Sequence, residues 1–184
     1  MNTYISILRG INVSGKNLIK MEALRNTYEN LGFVNVTTYV QSGNVIYSTP
    51  DSNITEMEEK IVNEIEKDYG IVVPVMVMSD KKLIQIINQN PFITDPRKEI
   101  TYLHVTFLSS QVNNTDIKTI EEKKQENEEV VLNGDVVYLY CPNGYGKTKL
   151  NNNFLESKLK VTATTRNWKT TNELLKIAHK IIDK

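Results

Sequence analysis

The order strand–helix–strand–strand–helix–strand can be read twice along this chain, and that repetition constrains the fold more than any single motif. In the first pass, residues 4–8 make a short apolar strand ending at Arg9. Met21, Leu24, Tyr28 and Leu31 recur at helical spacing, with Gly32 placed to close the helix. Residues 34–40 and 44–47 are β-branched runs joined through Ser42-Gly43, which reads as a hairpin. Ile54, Met57, Ile61 and Ile65 mark a longer helix, and a continuous apolar strand over residues 71–78 follows.

A helix over residues 80–88 and a connector marked by Pro91 and Pro96 lead into the second pass. Residues 102–108 alternate like a strand, and residues 115–124 read as a polar helix. Residues 130–132 and 136–140 flank Asn133-Gly134, the strongest two-residue hairpin signal in the chain. A glycine-rich loop then leads to a helix through Phe154, Leu155 and Leu159, and a short strand falls near residues 161–163. The tail helix opens with the capping-box spacing Thr170-x-x-Glu173 and buries Leu174, Ala178 and Ile181. We therefore expect an α+β chain of two tandem ferredoxin-like β-α-β-β-α-β subdomains with an extra C-terminal helix. The first covers residues 1–78, a linking helix and connector cover 79–100, and the second, with the tail helix, covers 101–184.

Lys+Arg and Asp+Glu both number 22, so no global field draws the chain to nucleic acid or to an acidic membrane. Any electrostatic attraction is local. The single cysteine, Cys141, excludes an internal disulfide framework and fits a reducing compartment. There is no basic-then-apolar leader and no apolar run of bilayer length, so the expectation is a soluble, cytoplasmic protein with no membrane partner.

Three stretches are dense in hydrogen-bonding side chains. They are Arg9-Gly10-Ile11-Asn12-Val13-Ser14-Gly15-Lys16-Asn17, Gln41-Ser42-Gly43-Asn44 and Thr164-Thr165-Arg166-Asn167-Trp168. None contains Asp, Glu, His or Cys, the types that carry most proton transfer and metal binding, so neither a metal nor a cofactor is expected. Gly10-x-x-x-x-Gly15-Lys16-Asn17 lacks the final hydroxyl of a phosphate-binding P-loop, and its helix starts several residues too late. Residues 141–148 end in Gly-Lys-Thr, but Cys141 stands where the first glycine belongs. Ser42 lacks the strand-to-helix elbow of a hydrolase nucleophile, and the only histidines, His104 and His179, lie in a strand and in the tail helix.

The three stretches together resemble a widespread bacterial family, domain of unknown function 1697. Leu8 to Asn17, the run Tyr39-Val40-Gln41-Ser42-Gly43-Asn44-Val45 and the run Ala163-Thr164-Thr165-Arg166-Asn167-Trp168 are similar to its most recognisable segments, and Tyr145-Gly146-Lys147-Thr148-Lys149-Leu150 to a fourth. Three residues depart from the pattern: Ser14 where glycine is usual, Lys160 where glycine often ends the helix, and Thr162 where proline is common. The resemblance implies a duplicated ferredoxin-like fold and brings no activity, cofactor or catalytic residue with it.

From the residues themselves we expect Arg9, Asn12, Lys16, Gln41, Asn44, Arg166 and Asn167 to converge on a polar cleft for a phosphate- or carboxylate-bearing small molecule. Lys147, Thr165 and Trp168 are accessory candidates, Trp168 first of all as a core anchor for the tail helix, and Asn167 as its cap. The alternative is an RNA- or protein-binding sheet surface, which requires Tyr4 and Tyr47 to be exposed side by side.

Overall fold

The computed structural model describes residues 1–113 and 117–182. The first unit contains β1 (Asn2–Leu8), α1 (Met21–Asn30), β2 (Val34–Thr38), β3 (Asn44–Thr49), α2 (Ile54–Tyr69), β4 (Val75–Ser79) and the start of α3 (Asp80–Asn88). The second contains β5 (Leu103–Leu108), α4 (Ile117–Glu121), β6 (Glu129–Asn133), β7 (Val136–Tyr140), α5 (Asn152–Leu159) and β8 (Ala163–Asn167). The tail helix α6 (Trp168–Ile182) begins in the second unit, and from Glu173 onward it belongs to the first. The sheets have the orders β2-β3-β1-β4 and β6-β7-β5-β8, with every paired neighbour antiparallel. Each is the ferredoxin-like arrangement, in which the two outer strands come from the second and fourth positions.

The first unit's core lies between its sheet and α1 and α2. Leu24 and Tyr28 of α1 and Met57, Ile61 and Ile65 of α2 are fully buried beside Tyr4, Leu8, Val45 and Tyr47. Phe33 stacks on Tyr47 at 4.4 Å between ring centroids, and Tyr28 meets the same ring edge-on at 5.3 Å. Burial raises the hydroxyl pKa of Tyr28, so it stays a neutral core group. Because Tyr4 is 5% exposed and Tyr47 0%, the RNA-binding alternative loses both of its aromatics. Every residue of β3 is buried, so the strand is inward-facing on both sides and leaves no stacking surface.

In the second unit Leu108, Val137, Leu139 and Ala163 of the sheet pack with Ile120 of α4 and with Leu155 and Leu159 of α5. Cys141 lies in this cluster. Desolvation, with the nearby Glu128 charge second, pushes its thiol up to about 12, so it is an inert apolar group there.

Several element boundaries differ from the sequence expectations, four of them with a consequence for the elements around the three stretches or the core. The strand expected over 71–78 begins only at Val75, because Pro74 has no N–H for the ladder. The polar helix ends at Glu121 rather than Lys124, and its expected start at Thr115 lies outside the described residues. The strand placed near 161–163 is Ala163–Asn167, so the third stretch is itself a strand. The tail helix begins at Trp168 rather than Thr170: the Thr170 N–H donates to Asn167 Oδ1 at 2.7 Å, making Asn167 its N-cap. Within α6, Leu174 and Ala178 are buried and Ile181 only partly.

Candidate functional site

In the first unit, two of the three stretches are stitched into a double loop beyond β1. Residues 9–20 fold back on themselves: Lys16 N–H donates to the Val13 carbonyl at 2.9 Å and Asn12 N–H to the Asn17 carbonyl at 3.1 Å. Asn17 Nδ2 closes the base by donating to the Gly10 carbonyl at 3.0 Å. The turn-back takes positive φ at Gly10, Asn12, Ser14, Gly15 and Asn17, with Ser14 at 51° where the family pattern has glycine. The next helix, α1, opens only at Met21, six positions after Gly15, so this near-match lacks the helix that starts directly on the glycines of a P-loop.

The hairpin loop between β2 and β3 closes onto it. Tyr39 N–H donates to the Asn44 carbonyl, and Leu8 N–H to the Gly43 carbonyl, each at 2.9 Å. A Cβ on Gly43 would lie 2.6 Å from Ile11 Cδ1 and 2.9 Å from Leu8 Cβ, and the residue has φ +77°. Only glycine allows this contact. Asn12 is the rivet: its Nδ2 donates to the carbonyls of Ile19 and Gln41, both at 2.9 Å, while its Oδ1 accepts from Ile19 N–H at 2.9 Å. Asn44, fully buried, donates from Nδ2 to the Tyr39 carbonyl at 2.9 Å and to Ser42 Oγ at 3.1 Å. The amide hydrogens of Asn12 and Asn44 therefore shape the loops. Arg9 is half-buried, with its N–H on the Pro74 carbonyl, and Lys16 and Gln41 are exposed.

The third stretch lies in the second unit. Arg166 is 8% exposed, and its Nη1 donates to Thr164 Oγ1 and the Thr165 carbonyl, both at 3.0 Å. Asn167 is spent on the cap of α6, and Trp168 is buried. Lys147 is exposed in a single 3-10 turn (Tyr145–Lys147), and its carbonyl accepts from Gln125 Nε2 at 2.8 Å.

Thr165 is the hub of a network that sequence reasoning missed. Its hydroxyl donates to Asn152 Oδ1 at 2.6 Å. Having one hydrogen, it must then accept from Tyr145 OH at 3.0 Å and from Thr106 Oγ1 at 2.7 Å. The Tyr145 ring stacks on His104 at 4.8 Å. Desolvation lowers the His104 pKa, partly offset by the Tyr102 carbonyl at 3.1 Å from Nδ1, so the neutral ring carries its hydrogen on Nδ1. The available signal was register: β5 pairs Thr106 with Thr165 and His104 with Asn167, but that reading needs β8 to be recognised as a strand.

Among the described residues, no three His, Cys, Asp or Glu side chains lie together as a metal site, and no helix is long and apolar enough to cross a membrane.

Two antiparallel four-stranded sheets of identical strand order, with interleaved helices, define a duplicated α+β architecture. The chain belongs to the family described as "Protein of unknown function (DUF1697)", whose model matches residues 1–138. It is also similar to a solved structure, the conserved bacterial protein SP0830 from Streptococcus pneumoniae. The TM-score is 0.71 and the identity 24%, over 96% of this chain and 98% of that one, a likeness of fold. No curated protein matches the chain.

Proposed function

We propose that the chain binds a phosphate- or carboxylate-bearing small molecule at the double loop of the first unit. One observation carries this reading: residues 9–20 and 39–44 hold Arg9, Lys16 and Lys20, contain no Asp or Glu, and are fixed by their own hydrogen bonds. A locally cationic surface with a set backbone favours an anion, leaving only its long side chains to be ordered at encounter. Gln41 adds an exposed amide beside it. Asn12 and Asn44 hold the loops in shape, while Arg166 and Asn167 hydrogen-bond within the strand and helix of the second unit. The buried Cys141 and balanced charge suit a cytoplasmic setting.

The test is a thermal-shift series at low salt with inorganic phosphate, phosphate monoesters and small carboxylates. A compound at a hundredfold its dissociation constant should add about 2.7 kcal/mol, or roughly 5–10 °C. Lys16→Ala, at an exposed position, should abolish the shift and leave the unliganded melting temperature unchanged. A full shift in Lys16→Ala, or none in the native chain, would overturn the proposal.

A further inference from the structure

The same double loop carries a second kind of chemistry. Leu18 is 70% exposed, Val13 55% and Val40 46%, so three large apolar side chains stand in solvent on these loops. Each is next in sequence to a residue of the Asn12 rivet: Val13 follows Asn12, Leu18 precedes Ile19 and Val40 precedes Gln41, and Asn12 hydrogen-bonds both Ile19 and Gln41. Each apolar Cα is thus one residue from the rivet, about 3.8 Å along the chain from a residue joined in it. Lys16 pairs with Val13 across a β-bridge, and Lys20 follows Ile19.

Val40 adds an independent observation. Its φ is +50°, in the left-handed region, where a β-branched side chain is a genuine outlier. The residue gains little from the fold in return, since nearly half of its surface faces water. Strain of this kind, held in place by surrounding structure, collects at sites that grip something. The loop around it is over-determined by the Tyr39–Asn44 closure and by the Gly43 contact with Ile11 and Leu8.

Resting on the anion-binding reading above, we infer that the ligand is an amphipathic anion: its phosphate or carboxylate is held by the cations of residues 9–20 and its apolar body lies across Val13, Leu18 and Val40. A purely polar anion would make no contact with those three side chains. The source is a soluble molecule rather than a membrane. Three cations and three modest apolar side chains fall short of the two strong signals that stable anchoring to a bilayer takes.

Calorimetric titration with hexyl phosphate and glycerol phosphate tests this directly, since both are monoesters of equal charge. Covering the equivalent of about two methylenes should make hexyl phosphate bind about tenfold tighter. Leu18→Ser and Val40→Thr together should erase that preference, so that the two esters bind the variant with equal affinity. Equal affinity for the two esters would overturn the inference and leave the anion reading standing. Failure of both to bind would overturn the two together. A preference that survives in the double variant would show that the apolar contact lies elsewhere. Sedimentation with phosphatidylglycerol vesicles, in the absence of hexyl phosphate binding, would overturn the soluble source.

Discussion

The two repeats end their second helices in the same way but with different residues, which makes a paired substitution unusually informative. Helix α2 stops at Gly70, with φ 67° and ψ 22° and its N–H on the Glu66 carbonyl at 2.7 Å. Helix α5 stops at Lys160, with φ 58° and ψ 32° and its N–H on the Glu156 carbonyl at 2.9 Å. A residue with a Cβ held in this region costs about 1–2 kcal/mol. Glycine gives back roughly 0.5–1 kcal/mol through its freer unfolded chain. Lys160→Gly should therefore stabilise the protein by about 0.5–1 kcal/mol, and Gly70→Lys should destabilise it by a similar amount. No atom lies within 4 Å of a Cβ built on Gly70, so that second change reads backbone strain without a clash. Lys160 is exposed, so its removal takes no core contact away. Urea unfolding followed by circular dichroism is the assay, with the midpoint read at constant slope. If Lys160→Gly were neutral or destabilising while Gly70→Lys cost nothing, the strain argument would fail at both ends, and with it the reading of Val40 and Ser14.

Gly43→Ala should cost about 2–4 kcal/mol by thermal denaturation, because its methyl group would meet Ile11 and Leu8 at under 3 Å and at positive φ. Trp168→Ala should cost about 3–5 kcal/mol if the buried indole anchors the tail helix, and an unchanged melting temperature would refute that role. His104 has a folded pKa below its ordinary value of 6.5, so the unfolded chain takes up its proton first. Its contribution is then fully present above pH 6.5 and is lost as pH falls through the folded pKa. His104→Phe should flatten the fall in stability on the acid side of pH 6.5, which denaturation across a pH series would show.

The duplicated order of elements was legible because Leu24, Tyr28, Met57, Ile61 and Ile65, which set the helical spacing, are also the residues that fill the first core. The β8 strand was not. Its buried positions include Thr164 and Arg166, so the usual apolar alternation is missing and only pairing with β5 reveals it. Tyr4 and Tyr47 were open to a surface reading because period-two patterning cannot tell a one-sided strand from a two-sided one, and β1 and β3 are buried on both faces. The double loop was visible as composition and hidden as geometry. Which amide Asn12 would spend, and on what, depends on a backbone carbonyl 29 residues away.

That distant bond has a mechanical consequence. A side chain that grips two loops at once couples their motion: a shift of the Gln41 turn must either carry residues 9–20 with it or break the Asn12 bond. The surface they present works as a stamp: it meets a partner with its two loops already joined.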